Sequence, residues 1–363
     1  MPGYSVARLS AAAAVLVACS GDGLGCGDGC VAPPDPLQPP EQRAVAVAAG
    51  FSSSCALTEV GALFCWGENR FGGIGDSTRD VRPLPTRVHT DRVFVSVTGT
   101  HGTSRVCAAD ADSQAYCWGY NLNGELGDGT HEDRWVPTLV GGNVPFRSLA
   151  TSYHTCGVSA DNRVYCWPTG EALLPVLVAS DQRFQGVGTG LEFSCGLTTA
   201  NTAYCWGWGD MLGNGSSVDQ PNPYPVAGGH SFVELSVGEE HTCGLEVGGA
   251  LYCWGKTDGW FNAPVLKPKR IPGLPALAHV SAGDYHTCAL TEEGLAYCWA
   301  TDQTPRRLAS NIRFAGLASG QYYSCGYTHG GAAYCWALES PFGLLGDGSG
   351  VSDTIPVRVA AFP

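Results

Sequence analysis

The chain has 363 residues, 44 % of them hydrophobic and only 15 % charged, with 50 glycines and 23 prolines. That apolar share is enough for a sizeable core, and the many turn formers exclude a mainly helical fold in favour of an all-β one. A formal net charge of −13 argues against binding nucleic acid through its phosphates, which needs clustered Lys and Arg, and suits a soluble surface or a basic partner.

Residues 1–18 read as an export signal. Arg8 supplies the positive start, and LSAAAAVLVA is an apolar run too short for a membrane-spanning helix, which needs roughly 20 such residues. The run ends in Leu16-Val17-Ala18-Cys19, which resembles the lipobox of bacterial lipoproteins. The resemblance implies acylation of Cys19, which becomes the first mature residue; an ordinary signal peptide cleaved nearby is the competing reading. Ser20 stands where the inner-membrane retention signal has Asp, which implies the outer membrane or the cell surface. Residues 19–40 are rich in Gly, Asp and Pro and form a tether without a core of its own. Within it Cys26 and Cys30 are expected to pair with each other; a metal site there lacks two further ligands.

The other fourteen cysteines organise residues 41–363. They form seven pairs: Cys55 with Cys65, Cys107 with Cys117, Cys156 with Cys166, Cys195 with Cys205, Cys243 with Cys253, Cys288 with Cys298, and Cys325 with Cys335. Each pair has nine intervening residues. First cysteines recur at intervals of 52, 49, 39, 48, 45 and 37 residues, the period of a propeller or solenoid. An aromatic precedes each second cysteine and Trp follows it, from Phe64 and Trp66 to Tyr334 and Trp336. Six residues after the first cysteine stands Gly61, Ser113, Asn162, Asn201, Gly249, Gly294 or Gly331, mostly types that accept a left-handed turn. Each copy therefore holds a hairpin whose two cysteines share parity and face each other within disulfide reach. Zinc or redox cysteines expect shorter spacings. Alternating segments upstream, such as VAVAAG and VSVTGT, add a strand, and Pro-x-x-Val after the Trp adds a fourth. Four strands make a propeller blade. We expect the last strand PVRV (356–359) and the first, RAVAVA, to complete one blade between them, which removes free edges.

AGDYHTCALTEEGLAYCW (282–299) and the loops NLNGELGDG (121–129) and FGLLGDG (342–348) resemble the repeat of the regulator of chromosome condensation family. The resemblance covers residues 41–363 and implies a seven-bladed β-propeller, here with one disulfide per blade. Copies three, five and six lack the GDG loop, so one face of the disc is expected to be uneven.

His154, His241 and His286 occupy one repeat position, shared with Ser53, Arg105, Phe193 and Tyr323. Separate blades make a common metal implausible and structural hydrogen bonds the expectation. Asp76, Asp128 and Asp347 sit in the distal loops, where Asp-Gly makes turns; calcium binding is the competing role. There is no nucleophile elbow, phosphate loop, H-E-x-x-H or sialidase Asp-box. The expectation is a binding protein, not an enzyme, without cofactor or metal, monomeric, attached to the cell envelope only by its lipid. Its partner is an unidentified protein; a glycan-binding lectin and a secreted enzyme inhibitor are the alternatives. The repeat Trp residues belong to the core, whereas Trp135, Trp208, Trp260 and Phe261, in loops the repeat leaves free, are the candidate binding surface.

Overall fold

The computed structural model describes residues 42–99, 104–168, 172–256, 263–300, 304–337, 345–349, 351 and 353–363. The signal peptide, the tether, Cys19, Cys26, Cys30, Trp260 and Phe261 lie outside them. The described chain is all-β and forms seven four-stranded antiparallel sheets, each contiguous in sequence. In blade 1 they are β1 (Ala44–Ala49), β2 (Ser53–Thr58), β3 (Leu63–Gly67) and β4 (Arg82–Arg87). The first strands of successive blades pack side by side, and β1 also packs against the first strand of blade 7, Phe314–Ser319, so the ring closes.

The hairpin forms as its residues require. In every blade the two cysteines are register partners across strands two and three, and all seven expected disulfides are present. Cys55 is bonded to Cys65, Cys107 to Cys117, Cys156 to Cys166 and Cys195 to Cys205. Cys243 is bonded to Cys253, Cys288 to Cys298 and Cys325 to Cys335. Paired Cα atoms are 4.0–4.2 Å apart. All of these cysteines are buried but Cys298, which is half-buried. All seven turn residues, Ser113 included, take the left-handed conformation, with φ from +62° to +83°. The carbonyl of that same residue accepts the amide that opens the next blade, as in Phe94 N to Gly61 O at 2.9 Å and Phe184 N to Asn162 O at 2.8 Å. A Cβ on Gly61 would lie 2.9 Å from the Phe94 carbonyl oxygen.

Side-chain alternation explains the repeat code. Neighbours along a strand point to opposite faces, so Cys65 faces blade 2 while Phe64 and Trp66 face blade 7. The core is accordingly split between blades. Cys55 and Cys65 pack with Phe94, Tyr116 and Trp118 of blade 2, and Cys107 and Cys117 with Phe146 and Trp167 of blade 3. Cys156 and Cys166 likewise meet Phe184 and Trp206 of blade 4. The periodic Phe at the head of the first strand escaped the sequence reading. Phe94, Phe146, Phe184, Phe232 and Phe314 lie against the paired aromatic and Trp of their own blades, with ring centroids 5.3–6.4 Å apart.

The expected shared blade does not form. Val357–Arg358 pairs with the third strand of blade 7, and β1 pairs with β2, so blades 1 and 7 are each complete. Closure instead repeats the ordinary interblade link, with Ala44 N donating to Gly331 O at 2.9 Å. Ala44 stands where five of the other blades have Phe and blade 6 has Leu277, and the void is filled by Phe362, whose ring lies 5.5 Å from Phe64 and 6.4 Å from Trp66.

Candidate functional face

In an antiparallel four-stranded blade, the turn between strands one and two and the loop between strands three and four emerge on the same face. Backbone bonds join them: Glu68 N to Ser52 O at 2.8 Å, Trp208 N to Glu192 O at 3.0 Å, and Lys256 N to Glu240 O at 2.8 Å.

Nearest the axis are the short turns. The Tyr153 hydroxyl of blade 3 donates to Glu239 Oε1 of blade 5 at 2.8 Å, bridging two blades. Tyr285 and Tyr322 stack with centroids 5.0 Å apart and planes 21° from parallel. Tyr153 and Tyr322 are 38 % and 40 % exposed, above buried Glu239, Glu240 and Asp284. Burial first, then the Glu239 carboxylate, pushes the Tyr153 and Tyr285 phenols well above their ordinary range, so both stay protonated hydrogen-bond donors. This acidic, aromatic mouth was not foreseen. Its signal was present in the two positions after the repeat's Gly, where Glu239-Glu240, Asp284-Tyr285 and Gln321-Tyr322 depart from Phe51-Ser52.

Beneath it runs the repeat position two before the first cysteine. His154 Nε2 meets Ser194 Oγ at 2.7 Å, His241 Nε2 meets Thr287 Oγ1 at 2.9 Å, and His286 Nε2 meets Ser324 Oγ at 2.7 Å. Each bond reaches the next blade, so these histidines staple blades as expected. Tyr323 does the same across the closure, donating to Ser53 O at 2.8 Å. Arg105, fully buried, lies 3.5 Å from Glu125 and donates to Thr151 Oγ1 and to the Ser152 carbonyl. Burial lowers the pKa of Arg105 to about 10, which leaves it charged at neutral pH.

The long loops cap the neighbouring blade. Ile74, Leu126, Leu212 and Leu345 are wholly buried, packed with Trp118, Trp167, Trp254 and Trp66 of the following blade. The next residue is always Gly with φ between +65° and +75°, laid flat on that indole. A Cβ at Gly75, Gly127, Gly213 or Gly346 would come within 2.4–2.7 Å of it. Asp76 accepts from Arg82 Nε at 2.6 Å and Asp128 from Arg134 Nε at 2.7 Å, and each also accepts from the threonine two residues on. Burial opposes ionisation of both carboxylates, but the Thr and Arg donors outweigh it and hold them below the usual range. Asp347 caps Ser349 N at 3.0 Å. All three act as turn carboxylates, and among the described residues no three His, Cys, Asp or Glu converge as metal ligands.

Of the candidate aromatics, Trp135 lies on the fourth strand of blade 2, 40 % exposed, with one ring face under Arg79 at 4.3 Å. Trp208 is half-buried beneath Lys256, whose Nζ is 4.5 Å from the ring and 2.7 Å from Glu240 Oε1. Its loop neighbour Met211 is core, whereas Tyr224 is exposed. Trp135 and Trp208 belong to different blades, and no contact joins them among the described residues.

Comparison with known proteins agrees with the repeat. Models of the regulator of chromosome condensation (RCC1) repeat match residues 44–72, 278–299 and 112–158. The ultraviolet-B receptor UVR8 of Arabidopsis thaliana is 29 % identical over 133 residues, 33 % of this chain and 28 % of that protein. The probable E3 ubiquitin-protein ligase HERC4 of Homo sapiens is 30 % identical over 116 residues, 31 % of this chain and 10 % of that one. The match thus spans less than a third of either relative. The crystal structure of Prp20p from Saccharomyces cerevisiae, described with its binding to Gsp1p and histones, superposes with a TM-score of 0.71 at 20 % identity, covering 88 % of this chain and 87 % of that one.

Proposed function

This chain is a propeller of the regulator of chromosome condensation repeat family, and we propose that it is a lipid-anchored, exported binding protein that holds a protein partner on its loop-bearing face. One observation carries the reading: that face gathers exposed Tyr153 and Tyr322 over the buried carboxylates Glu239 and Asp284. Aromatic groups that keep a polar tip are the residue types that dominate binding hot spots, and the carboxylates favour a partner with basic groups. The structural relative Prp20p is described as binding Gsp1p and histones, which supports protein binding as the general mode. Gsp1p and histones themselves are not carried over as partners, because the export signal read in residues 1–18 directs this chain elsewhere. The anchor is Cys19, followed by the 19–40 tether.

Cross-linking on living cells that make the full chain tests both halves. The wild type is expected in the membrane fraction, cross-linked to one dominant protein. Cys19→Ser is expected to leave the membrane, and the pair Tyr153→Ala with Tyr322→Ala to lose the cross-link while retaining the fold. A Cys19→Ser chain that still sediments with membranes refutes the anchor. An undiminished cross-link in the tyrosine variant refutes the face, and recovery of glycan rather than protein favours a lectin.

A further inference from the structure

Four of the seven interblade clefts are filled by the chain's own loops. The loop of blade n covers the Trp of blade n + 1, and blades 3, 5 and 6 lack the motif of that loop in their sequence; among the described residues no aliphatic side chain of such a loop lies on the Trp of blades 4, 6 and 7. The indoles register the difference. Trp66, Trp118, Trp167 and Trp254 are 0 % exposed, whereas Trp206 and Trp299 are 8 % and Trp336 is 4 % exposed. In blade 6 only five residues, 301–305, separate Ala300 from Arg306, against the fourteen, 68–81, between Gly67 and Arg82 in blade 1. Five residues are too few for the F-G-G-I-G-D turn. The result is a cleft of about 220 Å³ between blades 6 and 7, floored by Trp336 and the His286–Ser324 pair and walled by Trp299 and Tyr322.

We infer that this cleft seats a segment of the protein partner that copies the missing loop: an aliphatic residue, a glycine, then a carboxylate. The chain itself shows what fits such a cleft. Its own fillers read GIGD (73–76), ELGD (125–128), MLGN (211–214) and LGD (345–347). The aliphatic side chain excludes water from the indole face, at roughly 25 cal/mol per Å² of apolar area removed from water. The glycine is needed because the approach to the indole leaves no space for a Cβ. The acid is met in blades 1 and 2 by an arginine of the fourth strand, Arg82 or Arg134. In blade 6 that strand is Arg306–Arg307, opposite Cys298 and Tyr297, where blade 1 has Thr86 and Arg87, and so not at the register position of Arg82 and Arg134; both residues nevertheless line the cleft, both are exposed, and neither has a carboxylate within 4.0 Å among the described residues. Charge and shape therefore ask for the same sequence. The inference rests on the protein-binding reading above and gives it a recognition rule.

The probe is the capped octapeptide NGELGDGT, the chain's own residues 123–130. It is titrated into the full chain labelled with 5-fluorotryptophan, with fluorine resonances assigned through single Trp→Phe variants. Expected is a saturable shift of the Trp336 resonance at millimolar peptide, as befits a short flexible ligand that must be ordered on binding. Trp66, Trp118, Trp167 and Trp254, already capped, stay in place. A peptide with Ser for its Leu binds at least about tenfold more weakly, the 1.4 kcal/mol of a lost buried aliphatic contact. Arg306→Glu with Arg307→Glu, at exposed positions that leave the fold alone, weakens the parent peptide and not its Asp→Asn analogue to the same degree. Replacing residues 301–305 by the fourteen-residue loop of blade 2 abolishes the Trp336 shift. No shift at Trp336, or a shift that survives the grafted loop, overturns the inference. A grafted chain that still cross-links its partner on cells at wild-type yield also overturns it and leaves the protein-binding reading standing; a wild-type chain that takes the peptide but cross-links nothing does the reverse.

Discussion

At the scale of residues, two histidines give the fold opposite pH dependences. Burial, and then the nearby Arg105 charge, lowers the pKa of His154 to about 4. The unfolded chain therefore binds this proton before the folded one does. The stability it contributes is complete above pH 6.5 and is lost as pH falls from there towards 4. For His279, burial pulls the pKa down, but the Glu234 carboxylate at 2.7 Å and the Leu317 carbonyl outweigh it, and the net shift is upward. Its contribution is present below pH 6.5 and disappears as pH rises through the raised folded value. Thermal midpoints measured from about pH 4 to 9 should show this. His154→Gln, which keeps a donor for Ser194, is expected to flatten the acid side of the curve, and His279→Gln the alkaline side. Equal slopes in wild type and variants would refute the assignment. The staple role of His154 was legible in the sequence from its place in the repeat. The Glu234–His279 pair was not, because those residues come from adjacent blades and lie far apart along the chain.

At the scale of the element, the glycine of each long loop has two separate reasons to be glycine, and the two can be measured apart. Gly127 has φ +70°, and a Cβ there would sit 2.4 Å from Trp167 Nε1. Gly229 has φ +67° with nothing within 4 Å. Gly229→Ala is expected to cost only the backbone term, about 1 kcal/mol. Gly127→Ala should cost at least about 2 kcal/mol, with a red-shifted tryptophan emission as the loop lifts from the indole. Equal costs in denaturant unfolding would mean that the loop does not seal the cleft. The G-D-G composition identified these loops as turns, and the turn role of Asp76, Asp128 and Asp347 held. What the loops cover was not legible, since the covered Trp belongs to the next repeat.

At the scale of the whole molecule, closure rests on the last residues. Phe362 supplies to blade 1 the aromatic that its own strand lacks at Ala44, and Gln42 N donates to the Phe362 carbonyl at 3.4 Å. Phe362→Ala is expected to cost about 3–5 kcal/mol, as for a buried aromatic, and Phe362→Leu much less. Hydrogen exchange should quicken first in β1 and in the first strand of blade 7. Exchange that rises evenly over all blades would show that the ring does not open at this seam. Closure through one shared blade was the expectation, drawn from a first copy with no Pro-x-x-Val strand before it and a last copy whose PVRV strand has no copy after it. Alternation marks a strand but does not name its neighbour, and here each terminal strand finds a partner within its own repeat.

The sequence by itself determined the local architecture: seven repeats, a disulfide hairpin in each from Cys55 and Cys65 to Cys325 and Cys335, left-handed turns at Gly and Asn, and aromatics in the core. These follow from interactions within about ten residues, where spacing and parity dictate geometry. Only the tertiary structure decided which blade each aromatic faces, how the ring closes, that short turns from blades 3, 5, 6 and 7 build an acidic aromatic mouth, and which interblade clefts stay open. Those features join residues of different repeats, and a repeat pattern carries no information about contacts across the ring until the blades are packed side by side.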